Sequence, residues 1–432
     1  MKIEMTKRKI NIDQFALAIC YKIVLDISYV LFEAPYFGYV GFQCEPNILK
    51  TVISWAIYMA VFCIIKSDKR ELSVLFTYMI FALSMAPFMT LYQFLPACKL
   101  WMVILQMVAV IYIHILATKC KIEGAVLKAV PYDSPFVMGG FTTYIIVFGL
   151  YALYKFGIPA FALLGFENIS QIRAAAQLST LDSIIINVSC RVIVPLYILL
   201  LFYEKKFAGC FLGIIVQLYI YSVTGFKTFL FIPLVMIALI IFEKWDLKKL
   251  FFLGLTGAFV AVDLFTVVIG NLMPYALIGD RTVFFPALIK WAYLDYFSKN
   301  EYIYFSQNTI SKLLGITSNY SVNVPNLIGE KYFNKMEMWT NTGFIPDAYS
   351  NLGILGVFIT ATLMALILLI VSKRVDQCQG KMKKALETIY ILYFVMFNDG
   401  PFISTLFSGG LIVAILITLF IDFGEKGKGR KK

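Results

Sequence analysis

The stretch "QFALAICYKIVLDISYVLF", residues 14–32, decides the fold. About 20 apolar residues cross a bilayer as a helix, and this run has the length. It also carries Lys22 and Asp26. If the run crosses, an even number of spans separates the basic N-terminus from "KSDKRE"; if it does not, the two fall on opposite sides. The basic segment before it, "MKIEMTKRK", resembles the start of a signal peptide. A signal peptide, however, has a short clean core and a small-residue cleavage site. This run has two charges and no Ala-x-Ala site, so it reads as an uncleaved anchor. Lys22 and Asp26 stand four residues apart, on one helix face, and can pair with each other.

The composition agrees. Of 432 residues, 60% are hydrophobic and 15% charged. Soluble domains run nearer half apolar and a quarter charged, so this is an integral membrane protein. The net charge of +12 has no nucleic-acid motif beside it, and nucleic acid is not an expected partner. The eight cysteines are scattered singly, without CxxC or Cys/His pairing. No zinc site is therefore expected, and no other metal or cofactor. Cys44 and Cys98 both fall in segments read as external, where a disulfide is open to them.

Apolar runs occur near 14–32, 47–65, 72–91, 99–118, 136–156, 183–203, 207–223, 226–242, 250–271, 351–372, 385–399 and 401–422, about twelve spans in one membrane domain, 1–432. Charge tests the list, because Lys and Arg crowd cytoplasmic loops. With the N-terminus inside, the inside segments are that terminus, "KSDKRE", "KCKIEGAVLK", "EKK", "EKWDLKK", "SKRVDQCQGKMKK" and "EKGKGRKK", all rich in basic residues. The outside connections "EAPYFGYVGFQCEP", "YQFLPAC" and "NDGP" carry no Lys or Arg. A wrong span count would break this alternation. Parity then requires 14–32 to cross, with both termini cytoplasmic.

Two external segments are enlarged: a shorter loop at 157–182, and a long one at 272–350 between spans 9 and 10. Loops of that length are usually functional. Within the long one, "GDRTVFFPALIKWAYLDYFSKN" is apolar over most of its circumference and places Asp295 and Lys299 at i, i+4. It predicts a half-buried helix in the interface, with Trp291 and the tyrosines at headgroup level.

Cations gather at the same outer boundary. Arg173 lies in the shorter loop, Lys227 in the turn between spans 7 and 8, and Arg281 opens the long loop. Arg191 lies about eight residues into span 6, roughly 12 Å deep at 1.5 Å per residue. A charge at such depth faces a cavity or a partner. For Arg191 the partner would be Asp263, at similar depth in span 9; the other reading is a binding role. Lys227 snorkelling to the interface, and Arg173 and Arg281 as solvated loop charges, are the alternatives to binding for these three. A fixed Arg/Lys cluster suits a diphosphate or another polyanion, since guanidinium grips phosphate oxygens bidentately.

External carboxylates available as a general base are Glu167, Asp182, Asp280, Asp295, Glu301, Glu330, Glu337, Asp347 and Asp399. Asp347 leads, because "NTGFIPDAYSNLGILG", residues 341–356, sets it at the membrane boundary among Asn341, Tyr349 and Asn351. Its alternative role is N-terminal capping of span 10. The single histidine, His114, falls toward the cytoplasmic end of span 4 and reads as structural.

Three stretches, "TGFKTFLFIPL" (224–234), "RTVFFPALIKWAYLDYFS" (281–298) and "NTGFIPDAYSNLGILGVF" (341–358), resemble in that order the Wzy-type oligosaccharide repeat-unit polymerases. The alternating topology and the two enlarged external loops are similar too. The resemblance implies an all-α polytopic architecture similar to the C-type membrane glycosyltransferases. It implies a place in the bacterial cytoplasmic (inner) membrane, with the active site facing outside. The implied substrate is an oligosaccharide linked to undecaprenyl diphosphate, and the implied reaction transfers the growing glycan from one lipid carrier to the sugar of another. The product would be O-antigen, capsule or exopolysaccharide. Membrane lipids, a chain-length regulator and a flippase are the implied partners. On this resemblance Arg173 and Arg281 match loop arginines that bind substrate, and Lys227 the lysine of the turn. Arg281 and Asp347 would be catalytic, Arg173, Arg191, Lys227 and Arg281 would hold the diphosphate, and Asn341 and Tyr349 would meet sugar hydroxyls. The related ligases carry a histidine outside; this chain has none there. A lipid-linked oligosaccharide flippase or other transporter, a ligase-type glycosyltransferase and a non-catalytic scaffold are the competing readings. Transporters commonly show two related halves, which are not seen here.

Overall fold

A computed structural model of the protein describes residues 13–67, 71–120, 129–158, 172–173, 176–242, 244–308, 311, 314–378 and 380–423. Both termini, Glu167, most of the shorter external loop and the basic segment after Cys120 lie outside these residues, together with the expectations placed on them.

The fold is all-α and polytopic. Among the described residues nine helices are long and apolar enough to cross a membrane: Gln14–Val40, Ile48–Ile65, Leu72–Phe94, Leu100–Lys119, Pro135–Phe156, Thr180–Tyr203, Phe207–Thr224, Leu247–Ile269 and Phe344–Gln377. Shorter helices occupy the remaining expected positions at Lys227–Ile241, Gly380–Met396 and Leu411–Phe420. The only strand pairing among the described residues is a two-residue parallel bridge, Val130–Pro131 with Ile421–Asp422.

The first helix carries its charges as the spacing requires. Lys22 is fully buried and bonded to Asp26. Thr90 accepts from Lys22 at 3.0 Å and donates to Asp26 at 2.8 Å. Gln93 and Trp55 both donate to Asp26 at 3.1 Å. A buried ion pair is tolerated only when its remaining lone pairs and protons are satisfied. Here neighbouring helices do this, which ties the first helix to the second and third. Thr90→Val keeps the shape and removes both bonds. It is expected to cost about 1.5–3 kcal/mol, because hydrogen bonds to charged groups are the strong ones; thermal unfolding in detergent would show it, and an unchanged midpoint would refute it.

Leu72–Phe94 is buried along its whole length and stands at the centre of the bundle. Gln14–Ser28 packs on Leu247–Ile269, and Leu100–Lys119 on Phe344–Gln377. On Leu247–Ile269 the residues Leu264, Val267, Val268 and Ile269 remain exposed, as a lipid-facing surface would be. His114 is buried and shares a hydrogen bond with Thr77 at 3.2 Å. All eight cysteines are free, Cys44 and Cys98 included.

Among the described residues four helices widen into π turns, at Tyr29–Glu33, Phe81–Met85, Ser189–Ile193 and Ala276–Phe284. Each is followed by one residue and then a proline: Pro35, Pro87, Pro195 and Pro286. Proline has no N–H, and its ring collides with the carbonyl four residues back. An i→i+5 turn moves that carbonyl aside, so the helix continues with a bend instead of stopping. The third of these turns contains Arg191.

The long external segment folds back onto the bundle. Its helix Phe285–Phe297 forms, but it does not lie half-buried in the interface. Pro286 to Lys290 and Ala292 to Asp295 are all buried, and the helix packs against Ala86–Phe94 and the start of Phe344–Gln377. An apolar circumference is the mark of an enclosed helix. Trp291 is half-buried, edge-on to Tyr332 with ring centroids 5.4 Å apart, and so is turned to protein instead of headgroups. Asp295 and Lys299 pair at 2.7 Å, as their spacing requires.

Candidate functional site

Helix Thr180–Tyr203 supplies one wall of a cavity of about 690 Å³. Ser183, Asn187 and Arg191 line it, at successive spacings of four residues, which put them on one face. Next comes the turn after Thr224. Gly225 is left-handed (φ 65°), which glycine adopts without Cβ strain, and it ends helix Phe207–Thr224. Phe226 and Thr228 after it also line the cavity.

The folded-back segment closes the other side with Tyr293, Phe305, Gln307, Asn323, Trp339 and Asn341. Tyr293 donates to the Thr340 carbonyl at 3.0 Å. Asn351 donates to the Asp347 carbonyl and accepts from the Phe305 backbone, both at 2.8 Å. Ile303 and Tyr304 donate to the carbonyls of Ser350 and Asn351 at 2.9 and 3.1 Å. The loop at 303–305 is thereby pinned to the first turns of Phe344–Gln377. That helix breaks at Leu352–Gly353, where Gly353 has φ 62° and Tyr302 packs where a Cβ would stand. The break separates the turns that carry Asp347 from the long apolar part.

The last wall comes from 396–409, where the final expected span is broken in two. Phe402–Leu406 is one short helix, and Leu411–Phe420 starts only after Gly410 at φ 91°. Met396, Asp399, Gly400, Pro401 and Ser408 face the cavity. Asp399 shows more than a third of its surface, and it shows it to the cavity. Beneath it Lys290 is fully buried and donates to Asn398 Oδ1 at 2.6 Å. Burial pushes the Lys290 ammonium down to about 7, with Asp399 opposing. Loss of water from the walled cavity raises the Asp399 carboxyl, with Lys290 and Arg191 holding it back.

The expected site residues divide. Arg191, Asn341 and Asp347 meet at the cavity. Arg191 is not paired with Asp263, which instead accepts from Ser28 at 3.0 Å. Among the described residues its Nε is buried without a partner, and Asp399 is the carboxylate within electrostatic reach. The N-cap of the helix that carries Asp347 is Gly343, and Asp347 stands in the first turn after it. Tyr349 turns away, packed against Trp101 and Tyr302 at 5.6 and 6.0 Å. Arg173 donates to the Gly225 carbonyl at 3.2 Å and lies over Phe226, so it holds the turn and does not line the cavity. Lys227 begins the helix between the lining residues Phe226 and Thr228. Arg281 is exposed beside Asp280, off the cavity wall.

Most of the other carboxylates are engaged elsewhere or lie off the wall. Asp182 caps its helix with Ser179 and pairs with Lys155. Asp295 holds Lys299 and Tyr332. Asp280 sits against Glu33. Glu301, Glu330 and Glu337 do not line the cavity, which leaves Asp347 and Asp399 among the described residues. Among the described residues no three His, Cys, Asp or Glu side chains converge as a metal site would require.

Lys290, Asn187 and Trp339 carried no expectation. The spacing Ser183–Asn187–Arg191 was a usable signal, since a polar stripe on an apolar span needs a wet face. Lys290 was hidden inside a stretch read as interfacial. Its packing gives a test: a Cβ on Gly343 would stand 2.5 Å from the Asn398 carbonyl and 3.1 Å from Lys290 Cε. Gly343→Ala is expected to push the 398–400 turn away and cost about 1–3 kcal/mol; wild-type stability in a detergent melt would refute this packing.

Comparisons with protein-family models, with curated proteins and with solved structures return no match.

Proposed function

We propose that this protein is a membrane glycosyltransferase that polymerises oligosaccharide repeat units carried on a polyprenyl diphosphate, at the outer face of a bacterial cytoplasmic membrane. In this reading the chain has twelve spans with both termini inside. The observation that carries it is the cavity itself. It combines one deep cation, two carboxylates, a wall of amides and hydroxyls, and aromatic faces, and every lining segment is one that the charge pattern assigns to the outside or to the outer half of a span.

The chemistry follows from those groups. Arg191 holds the diphosphate of the donor and stabilises the charge that develops as it leaves. Asp347 accepts the proton of the acceptor sugar's hydroxyl. The hydroxyl oxygen attacks the anomeric carbon, the bond from that carbon to the phosphate oxygen breaks, and the diphosphate departs with the electron pair. Asp399 orients Arg191. Asn341 and the neighbouring amides bind sugar hydroxyls, while Trp339 and Phe226 offer apolar faces to the rings.

Glycan gels from cells lacking the gene test the reading. A surface ladder collapsing to single repeats, restored by wild type, is expected. Repeats trapped on the inner leaflet with nothing on the surface would make the protein a flippase and sink the proposal. Arg281→Ala is expected to restore the ladder nearly fully, because Arg281 stands off the cavity; loss of the ladder would return Arg281 to the site.

A further inference from the structure

We infer that Gln217 is a positioning residue for the cavity: its side-chain amide ties the π turn that carries Arg191 to the turn that carries Phe226 and Thr228, and so sets where Arg191 meets the diphosphate. The inference rests on the proposed role of Arg191 and goes beyond it, since Gln217 does not itself line the cavity. Gln217 stands in helix Phe207–Thr224 and is fully buried. A buried amide in an apolar span is costly unless it is hydrogen-bonded. Its Nε2 donates to the Cys190 carbonyl at 2.9 Å and to the Phe229 carbonyl at 3.2 Å. A side-chain amide nitrogen carries two hydrogens, and both are used.

Prolines leave both of those carbonyls without a helical donor. In the π turn Ser189–Ile193 the Val194 N–H bonds the Ser189 carbonyl, an i→i+5 step. In that register the donor to Cys190 would be residue 195, which is Pro195 and has no N–H. In helix Lys227–Ile241 the i→i+4 donor to Phe229 would be residue 233, which is Pro233. Proline is tolerated at membrane depth where a neighbouring helix re-satisfies the freed backbone group. Gln217 does this for two helices with one nitrogen. The consequence for the cavity is geometric. The Cys190 carbonyl belongs to the peptide group that enters Arg191, and Phe229 follows the lining residue Thr228. The Phe229 N–H in turn donates to the Phe226 carbonyl at 2.9 Å, which closes the 226–229 turn. Gln217 therefore fixes the Arg191 backbone against that turn, and a bidentate grip depends on where the guanidinium fork points.

The third helix has the same device away from the cavity. Pro87 leaves the Ala82 carbonyl without a donor, and Tyr21 donates to it at 3.0 Å. Neither Tyr21 nor Ala82 lines the cavity, so Tyr21→Phe is the control for stability alone.

The test places full-length wild type, Gln217→Met and Tyr21→Phe in nanodiscs. Folded protein is quantified, and binding of farnesyl diphosphate is followed by calorimetry with Arg191→Ala as the blank. Both variants strip a buried carbonyl of its donor, so both are expected to melt below wild type. Per folded molecule, Gln217→Met is expected to bind the probe at least about tenfold more weakly, and Tyr21→Phe to bind it as wild type does. Wild-type affinity in folded Gln217→Met overturns the inference. So does equal weakening in both variants, since that is a general loosening of the bundle. If Gln217→Met does not fold, Pro233→Ala is added to it, which returns a helical N–H to the Phe229 carbonyl. That pair is then judged against Pro233→Ala alone by the same criteria. Failure of wild type to bind the probe above the blank would instead sink the proposed role of Arg191, and this inference with it.

Discussion

Arg191→Ala is expected to abolish polymerisation, a fall of at least about 100-fold in ladder formation, while leaving the protein as stable as wild type or slightly more so. The two halves of that expectation come from different physics. Removing one preorganised donor from a site where charge develops costs about 10²–10³ in rate. The folded chain, by contrast, gains little from Arg191: its Nε is buried without a partner, and Asp263 is held by Ser28 elsewhere. Deleting a cation whose Nε is buried and unpaired among the described residues removes a desolvation cost. Arg191→Lys is expected to restore little, because an ammonium cannot supply the planar fork that grips two phosphate oxygens. Glycan gels and detergent melts read the two effects separately. A ladder surviving in Arg191→Ala would end the proposed role. A collapse of the melt in the same variant would make the residue structural.

Much of the architecture was legible, because the bilayer imposes strong rules. Run length and the charge of short loops located helices at every expected position, within a few residues in most cases. The pairing of Lys22 with Asp26 was legible from spacing alone, and the structure adds the donors that make it tolerable. Which helix is central was not legible. Leu72–Phe94 is wholly buried and Leu247–Ile269 is largely lipid-facing, yet both are simply apolar. Lipid tails are as apolar as a core, so hydropathy carries no inside–outside signal here.

The candidate site was legible in part for a similar reason. Arg191 stood out because depth makes a charge expensive, and it lines the cavity. Arg173 and Arg281 had only their external location to recommend them, and location in a loop does not say where a long side chain turns. The carbonyl of Gly225 takes one, and the other stays exposed. The cavity also depends on how 272–350 folds back, through contacts such as Asn351 with Phe305, which no local pattern encodes.

Lys290→Met is expected to give a protein that is more stable near neutral pH and about 10- to 100-fold less active. Lys290 is fully buried, and burial lowers its pKa from 10.5 to about 7. In the unfolded chain it titrates near its usual value, so between about pH 7 and 10 the unfolded state binds more protons. Stability must then rise with pH across that window and be lost again as pH falls toward 7. Between pH 7 and 9 the rise from this one group is on the order of 2 kcal/mol. Asp399, whose pKa is raised instead, works with the opposite sign, from the usual carboxylate range upward. The difference between wild type and Lys290→Met cancels groups common to both and isolates Lys290. Methionine does not titrate, so the variant should lack the slope. At pH 7 it should exceed wild type by about 1–3 kcal/mol, after allowing for the Asn398 side-chain oxygen Oδ1 that it leaves unpaired. Activity moves the other way, because Lys290 holds the turn that presents Asp399 to Arg191, and a misplacement of about 1 Å in such a site costs about 10²-fold. A variant that kept the slope would refute the buried, depressed lysine. One that lost the slope but polymerised at the wild-type rate would leave Lys290 with no part in placing Asp399.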